Sequence, residues 1–349
     1  MKPIETEKIA LLDSMFRDAS KVVLTAHMGP DGDAVGSTTA LAAYLEETRG
    51  KDVKIILPDP VPDSLAFIIN GFEDRVLIGK SDLEACRKAV GECDLQISLD
   101  YNGFKRTGIL EEILSASKAK KILIDHHLNP ESESFDLVFS ETEVSSASEL
   151  LFHILMALPD VGGDSRRLPA RTADALMTGM TTDTNNFANS VYPETLQMAS
   201  ALLAAGVDRD AILANLYNRY RETRLRLMGI ALKDLMKITS DGVAYIVLRK
   251  DLLEKYDVRE GETEGFVNMP LALDKVRMSI LLKEEDDHFR VSIRSKKGVS
   301  ANRCSGLYFN GGGHERAAGG RLYVPRDIAT YDEAEEYIEK VTHEFFEHN

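Results

Sequence analysis

Short, β-branched apolar runs alternate with helix-like stretches through the first half of this chain, and no other feature narrows its fold as much. The runs are Lys21–Ala26, Val53–Leu57, Leu95–Leu99 and Lys121–Ile124, each four to six residues long. They are too short for buried helices and too apolar for surface strands. Between them, Val35–Glu47 and Asp82–Val90 carry Ala and Leu at helical spacing. Strands of this kind, buried on both faces, form a parallel sheet covered by helices.

Ser145–Leu158 and Arg171–Thr182 read as further helices, and Pro193 to Lys237 reads as helical throughout, ending in a long connector helix over Glu222–Lys237. Asp241-Gly242 marks a turn. Beyond it Val243–Arg249, Lys275–Lys283 and Phe289–Arg294 read as strands of a second sheet. A glycine-rich loop (Gly311–Gly320), one more strand and a terminal helix (Tyr331–Glu347) follow. The expected fold is therefore α/β: an N-terminal parallel-sheet domain over 1–220, a connector helix over 221–240 and a smaller C-terminal α/β domain over 241–349. A length of 349 residues suits two domains.

Composition excludes several classes of function. With 44% hydrophobic and 28% charged residues the chain is an ordinary globular protein. Its opening, MKPIETEKIALLDSMF, has no long apolar run, so neither a signal peptide nor a membrane anchor is expected, and the expected location is the cytoplasm. Cys86, Cys93 and Cys304 lie at no zinc-like spacing and read as reduced thiols. A net charge of −15 argues against tight binding of long duplex nucleic acid, which needs many contacts to phosphate. Locally the balance reverses. Between His288 and Arg321, seven bases (Arg290, Arg294, Lys296, Lys297, Arg303, Arg316, Arg321) face one acid, Glu315. Such a stripe suits a short anionic substrate.

The chemistry collects where strands end. Lys21–Ala26 runs into His27-Met-Gly-Pro-Asp31-Gly-Asp33, Leu95–Leu99 into Asp100, and Lys121–Ile124 into Asp125-His126-His127. In an open parallel sheet the ligand site lies outside the carboxyl ends of the strands, so three separate segments deliver His and Asp to one edge. Carboxylates with some imidazole favour Mn²⁺ or Mg²⁺, with Co²⁺ or Fe²⁺ as alternatives, over thiolate-bound zinc. Two cations sharing a carboxylate clamp the attacking and leaving oxygens of a phosphoryl displacement. Converging aspartates also need such cations to offset their mutual repulsion.

Taken singly, each motif has a bland counterpart. Asp31-Gly-Asp33 on its own is an Asx-turn, with Gly36-Ser37 opening the next helix, and Asp-His-His is an ordinary strand end. The ordered set, completed by Thr-Thr-Asp183, is far more specific. His153 reads as a packed helical histidine, Met228 and Met236 as core, and Asp286-Asp287 as a hairpin turn.

His27-x-x-x-Asp31-x-Asp33, Asp100, Asp125-His126-His127 and Asp183 together resemble the DHH phosphoesterase superfamily. Arg294 followed by Gly311-Gly312-Gly313-His314-Glu-Arg316-Ala-Ala-Gly319 resembles its DHHA1 partner domain. Motif order and length look like the stand-alone oligoribonuclease / 3′-phosphoadenosine-5′-phosphate (pAp) phosphatase branch, NanoRNase A-like. That resemblance implies two divalent cations, with His27 and Asp31 on the first, Asp33, His126 and Asp183 on the second, and Asp100 bridging. It implies that Asp125 orients a ligating imidazole and that His127 faces the substrate phosphate. Arg294, His314, Arg316 and the amides of Gly311, Gly312 and Gly313 anchor the substrate in the same reading. Short oligonucleotides and pAp are the implied substrates, and a homodimer is compatible with it.

One departure stands out: relatives carry a cleaner apolar helix and a fourth glycine where this chain has Val299–Asn310. The competing activities are cleavage of cyclic dinucleotides or their linear products and inorganic pyrophosphatase chemistry. A non-catalytic nucleotide-binding protein is the competitor from outside the enzymes.

Overall fold

The computed structural model describes residues 4–217, 220–259 and 261–347. Its contacts divide the chain into two compact units, Met1–Arg219 and Tyr220–Asn349.

In the first unit, α1 (Thr6–Asp18) leads into β1 (Lys21–Thr25), α2 (Gly32–Arg49), β2 (Asp52–Leu57), β3 (Val76–Ile78) and α3 (Leu83–Glu92). Next come β4 (Leu95–Leu99), α4 (Glu111–Ser115), β5 (Lys120–Asp125), β6 (Leu137–Ser140), α5 (Ala147–Ala157), α6 (Ala170–Asp183), α7 (Pro193–Ala204) and α8 (Arg209–Tyr217). The described strands form one six-stranded sheet, ordered β3-β2-β1-β4-β5-β6. Every pairing in it is parallel. The order reverses between β1 and β4, which places a topological switch point, and hence a ligand crevice, at their carboxyl ends.

All four anticipated strands are present, and β4 is buried along its whole length. The sequence reading passed over β3 and β6, which are short and sit at the sheet's edges. Helix α2 begins at Gly32, earlier than Gly36-Ser37 suggested, because the Asp31 side chain caps it. It is buried from Gly32 to Leu45, and two glycines let it sit tightly against α6. A Cβ on Gly36 would lie 2.8 Å from the Ala175 carbonyl oxygen and 2.9 Å from Gly179 Cα.

The second unit contains α9 (Glu222–Ile230), β7 (Lys237–Ile238), β8 (Val243–Leu248), α10 (Lys250–Lys255), β9 (Met278–Glu284) and β10 (His288–Ser295). It closes with α11 (Ala301–Tyr308), β11 (Gly312–His314), β12 (Ala317–Tyr323) and α12 (Ala334–Glu347). Its mixed sheet runs β11-β12-β10-β9-β8-β7, with β8 and β9 parallel. Residues of α11 and α12 pack into one apolar cluster with the sheet, and Leu227 of α9 into another with Ile246, Leu248 and Phe266.

Three expectations change here. The connector helix is α-helical to Ile230 and continues as a π-helical turn over Ala231–Leu235, so it ends two residues short of the anticipated Lys237, where a strand begins. The Val299–Asn310 stretch does contain a helix, α11, capped by Ser300. The glycine-rich segment is a β-hairpin, with Gly312 opposite Gly319 and His314 opposite Ala317. The three cysteines are free, as expected. No helix among the described residues is long and apolar enough to cross a membrane.

Candidate metal centre

The carboxyl ends of β1, β4 and β5 bring the anticipated residues together with the start of α2 and the end of α6. His27 Nδ1–H donates to the Met28 carbonyl at 2.8 Å, which fixes the tautomer and aims Nε2 inward. That Nε2 lies 3.4 Å from Asp100 Oδ2 and 3.8 Å from Asp31 Oδ2. Asp31 divides its oxygens: Oδ1 caps α2 by accepting the amides of Asp33 (3.0 Å) and Ala34 (3.1 Å), and Oδ2 faces His27. Asp33, in the first turn of α2, is buried. It accepts the Ala147 and Ser148 amides at 2.6 and 2.9 Å, so its carboxylate sits on the N-terminus of α5.

Asp100 holds the centre. Its backbone is left-handed at φ 62°, and its amide donates to the Ile124 carbonyl at 3.1 Å, pinning it to the end of β5. Its Oδ2 faces His27, while Oδ1 lies 3.3 Å from His126 Nε2. One carboxylate thus addresses imidazoles from two strands with different oxygens, as a bridging ligand must. His126 Nε2 also lies 3.6 Å from Asp183 Oδ2, at the end of α6. The donor atoms of His27, Asp31 and Asp100 lie within 4.8 Å of one another, and those of Asp33, His126 and Asp183 likewise. Asp100, His126 and His127 form a third grouping. In that grouping His127 Nδ1 donates to Asp125 Oδ1 at 2.7 Å. The imidazole that Asp125 orients is therefore the one the sequence reading aimed at substrate.

The charge balance shows that cations fit. Burial works to raise the Asp33 pKa, and the charges of Asp100 and Asp183 add to it, so Asp33 stands well above the usual carboxylate range. Burial, with Asp100 and Asp31 nearby, pushes Asp183 up to about 7 although His126 opposes it. Burial likewise raises Asp100, but hydrogen bonds from His126 and His27 outweigh it and hold Asp100 far below its ordinary value. Burial would lower both imidazoles. Contact with Asp100 and the charges of Asp31 (for His27) and of Asp183 (for His126) instead raise them to about 9 and about 10. The metal-free site thus retains protons where two dications would sit, and its oxygen-and-imidazole donors suit such ions.

A measurable consequence is proton release. Mn²⁺ taken up by the stripped protein at pH 7 should expel at least about two protons, one from each of His27 and His126, with the raised Asp183 and Asp33 adding to them. Its apparent affinity should climb as the pH approaches 9. Calorimetry in two buffers of different ionisation enthalpy reads this directly, and uptake without proton release would contradict it. The raised imidazole pKa values also stabilise the metal-free fold fully below pH 6.5. That stabilisation is lost as pH rises through about 9 and about 10.

In the second unit, Arg294 lies half-buried on β10, and Gly311 to Arg316 are exposed. The glycines there serve close packing more than an anion cradle. A Cβ on Gly313 would lie 2.6 Å from the Ala317 carbonyl oxygen, and one on Gly311 would overlap that of Gly319. The Gly313 amide is taken by Asn302 Oδ1 at 2.9 Å. What this hairpin offers an anion is chiefly the side chains of His314 and Arg316.

The sequence reading missed residues that shape the site without entering it. Gly179 of α6 has no room for a Cβ, which would overlap Ser148 Oγ and lie 2.9 Å from Asp33 Oδ1. Glu149 is wholly buried, and His153, read as merely packed, faces it at 3.7 Å. Ser146-x-x-Glu149 is a capping-box pattern visible in the sequence. Nothing local marks Gly179.

Comparison with known proteins agrees with this geometry. The DHH family N-terminal domain matches residues 21–180, and the DHHA1 domain matches residues 229–344. The chain is 28% identical over 320 residues to the bifunctional oligoribonuclease and PAP phosphatase NrnA of Bacillus subtilis (strain 168), covering 91% of this chain and 92% of that one. An exopolyphosphatase-related protein from Bacteroides fragilis superimposes with a TM-score of 0.90 at 36% identity, covering 99% and 98% of the two chains. RecJ of Thermus thermophilus, solved with Mn²⁺, shares the fold at a TM-score of 0.57 and 15% identity, over 96% of this chain and 53% of that one. Two matched domains and relatives matched over nearly the whole chain place the molecule: this chain belongs to the DHH/DHHA1 phosphoesterase superfamily, on the branch of the bifunctional oligoribonucleases and PAP phosphatases.

Proposed function

We propose that the chain hydrolyses short oligoribonucleotides to 5′-mononucleotides and removes the 3′-phosphate of pAp to give AMP. The observation that carries this reading is the pair of donor clusters, His27-Asp31-Asp100 and Asp33-His126-Asp183, with Asp100 Oδ1 reaching 3.3 Å from His126 of the second. The relative from Bacillus subtilis, matched over nearly the full length of both chains, supports the choice of substrates.

His27, Asp31 and Asp100 would hold one divalent cation and Asp33, His126 and Asp183 the other, with Mn²⁺ the first candidate. When bound, the cations supply charge neutralisation at the scissile phosphate and an ionised water at neutral pH. The chain's own groups do the rest. His127, oriented through Nδ1 by Asp125, presents its other nitrogen to the phosphate and stabilises charge there. Arg294, His314 and Arg316 anchor a terminal 5′-phosphate, Arg through its planar fork of donors. With the 5′-phosphate as the anchored group, pAp and a short oligonucleotide are cut at the equivalent phosphate.

A product assay with added Mn²⁺ on pAp, labelled dinucleotides and a longer single strand tests this. Turnover should be fastest on pAp and on two- to five-nucleotide strands. A clear preference for the long strand would sink the substrate assignment. The same assay separates a second reading. The cyclic-di-AMP phosphodiesterase GdpP of Geobacillus thermodenitrificans (strain NG80-2) is 25% identical over 96% of this chain, although the match covers 49% of that protein. A cyclic dinucleotide cut faster than pAp would favour that activity.

A further inference from the structure

Glu149 lies three residues into α5 with no exposed surface, and no step above uses it. Its Oε2 accepts from the Ser145 amide at 3.0 Å, from the Ser145 hydroxyl, and from the Thr195 hydroxyl at 2.7 Å. Thr195 Oγ1 in turn accepts the Tyr192 amide at 3.1 Å. One buried carboxylate therefore ties the residues just before α5 to the start of α7. Its Oε1 faces His153 Nε2 at 3.7 Å. Burial works to raise the Glu149 pKa, but His153, Ser145 and Thr195 outweigh it and hold the group below its ordinary value, so it is buried as an anion.

An apolar side chain would fill this position without the desolvation cost of a buried charge. What the charge achieves is visible one turn away. Ser146 Oγ accepts the Glu149 amide at 3.0 Å and caps α5, while the Glu149 carboxylate reaches one residue beyond the cap to the Ser145 amide, so both ends of Glu149 fix where α5 begins. The next two amides, from Ala147 and Ser148, grip Asp33. Thr195 extends the same tether to α7, which follows the segment after Asp183.

We propose that Glu149 is a positioning residue for the cation site of Asp33, His126 and Asp183. Through Ser145 and Thr195 it sets the start of α5, and thereby the orientation of the Asp33 carboxylate. This rests on reading that cluster as a cation site. Groups that orient a metal ligand typically change metal affinity by about 10- to 100-fold when removed.

The test is a titration of the metal-free, full-length chain with Mn²⁺ alone, by calorimetry or by the electron-spin signal of free Mn²⁺. Two sites are expected in the unaltered chain. Glu149→Gln should weaken one of them by about 10- to 100-fold and leave the other unchanged. Thr195→Val, which keeps the acid and removes one tether, should weaken the same site by a smaller factor. Leu12→Ala, a core change in α1, should lower the melting midpoint and leave both sites intact. Activity of Glu149→Gln should recover in excess Mn²⁺. Native affinity at both sites in Glu149→Gln and Thr195→Val overturns the positioning role alone. Should Glu149→Gln fail to fold, Thr195→Val decides. An unaltered chain that binds no Mn²⁺ overturns the cation-site reading and this inference with it.

Discussion

Asp100→Asn should abolish every activity of the chain together, lowering kcat/KM on pAp and on short oligonucleotides by at least about a thousandfold, roughly 4 kcal/mol of lost transition-state stabilisation. Asn is the sharper probe than Ala because the residue sits at φ 62°, a left-handed conformation that Asn tolerates and Ala resists. The substitution keeps the shape of the side chain and removes its charge. Asp100 faces both His27 and His126, with a different oxygen toward each. Its loss therefore reaches both candidate cation sites, whereas loss of Asp31 or Asp183 reaches one. The comparison is a Mn²⁺ titration alongside the product assay. Retention of either activity in Asp100→Asn would remove the shared-carboxylate reading, and loss of only one would mean that the two reactions use different centres.

The second large effect concerns a residue with no functional group. Gly179→Ala should destabilise the fold by about 1–3 kcal/mol through overpacking and cut kcat/KM by about a hundredfold, because a small misplacement of a catalytic constellation costs that much. The added methyl has nowhere to go: it would overlap Ser148 Oγ and lie 2.9 Å from Asp33 Oδ1, pushing on both the Asp33 carboxylate and the helix that holds it. Gly91→Ala is the matched control. A Cβ there meets nothing within 4 Å, and the residue lies in helix α3. The same chemical change at Gly91 should stabilise by about 0.5–1 kcal/mol. Thermal melts of the two variants should move in opposite directions. A Gly179→Ala chain as stable and as active as the unaltered one would show that α5 and α6 adjust freely at the site.

These two residues also mark the limits of reading function from the chain. Asp100 stood out because a β-branched strand runs directly into it, and strand-end polar residues of a parallel sheet share one edge by topology. The same logic found His27, Asp31, Asp33 and His126; Asp183, at the end of a helix, came from the ordered motif set that resembles the DHH superfamily, and the structure brings all of them together. It worked because hydrophobic periodicity and turn chemistry are local, written in neighbouring residues.

Partner choice between distant segments is not written that way. Asp33 is held by amides 114 and 115 residues further along the chain, and a tether of 46 residues joins Thr195 to Glu149. Whether Asp125 orients His126 or His127 depends on how the end of β5 turns, and both histidines follow it directly in sequence. Ordinary packing likewise explains the glycine-rich segment, where composition suggested an anion cradle and a close hairpin beside α11 uses the missing Cβ atoms. The shortened connector helix is a similar case: Glu222–Lys237 has helical spacing to its end, yet Lys237 and Ile238 pair with β8.

By itself, then, the sequence determined the α/β class, the carboxyl-end location of the candidate site and, Asp183 apart, the residues that converge there, because these follow from short-range pattern and strand topology. The tertiary structure alone decided which oxygen of Asp100 faces which imidazole, what holds Asp33 in place and where no side chain can fit. Those are distances between elements far apart in the chain, and only packing sets them.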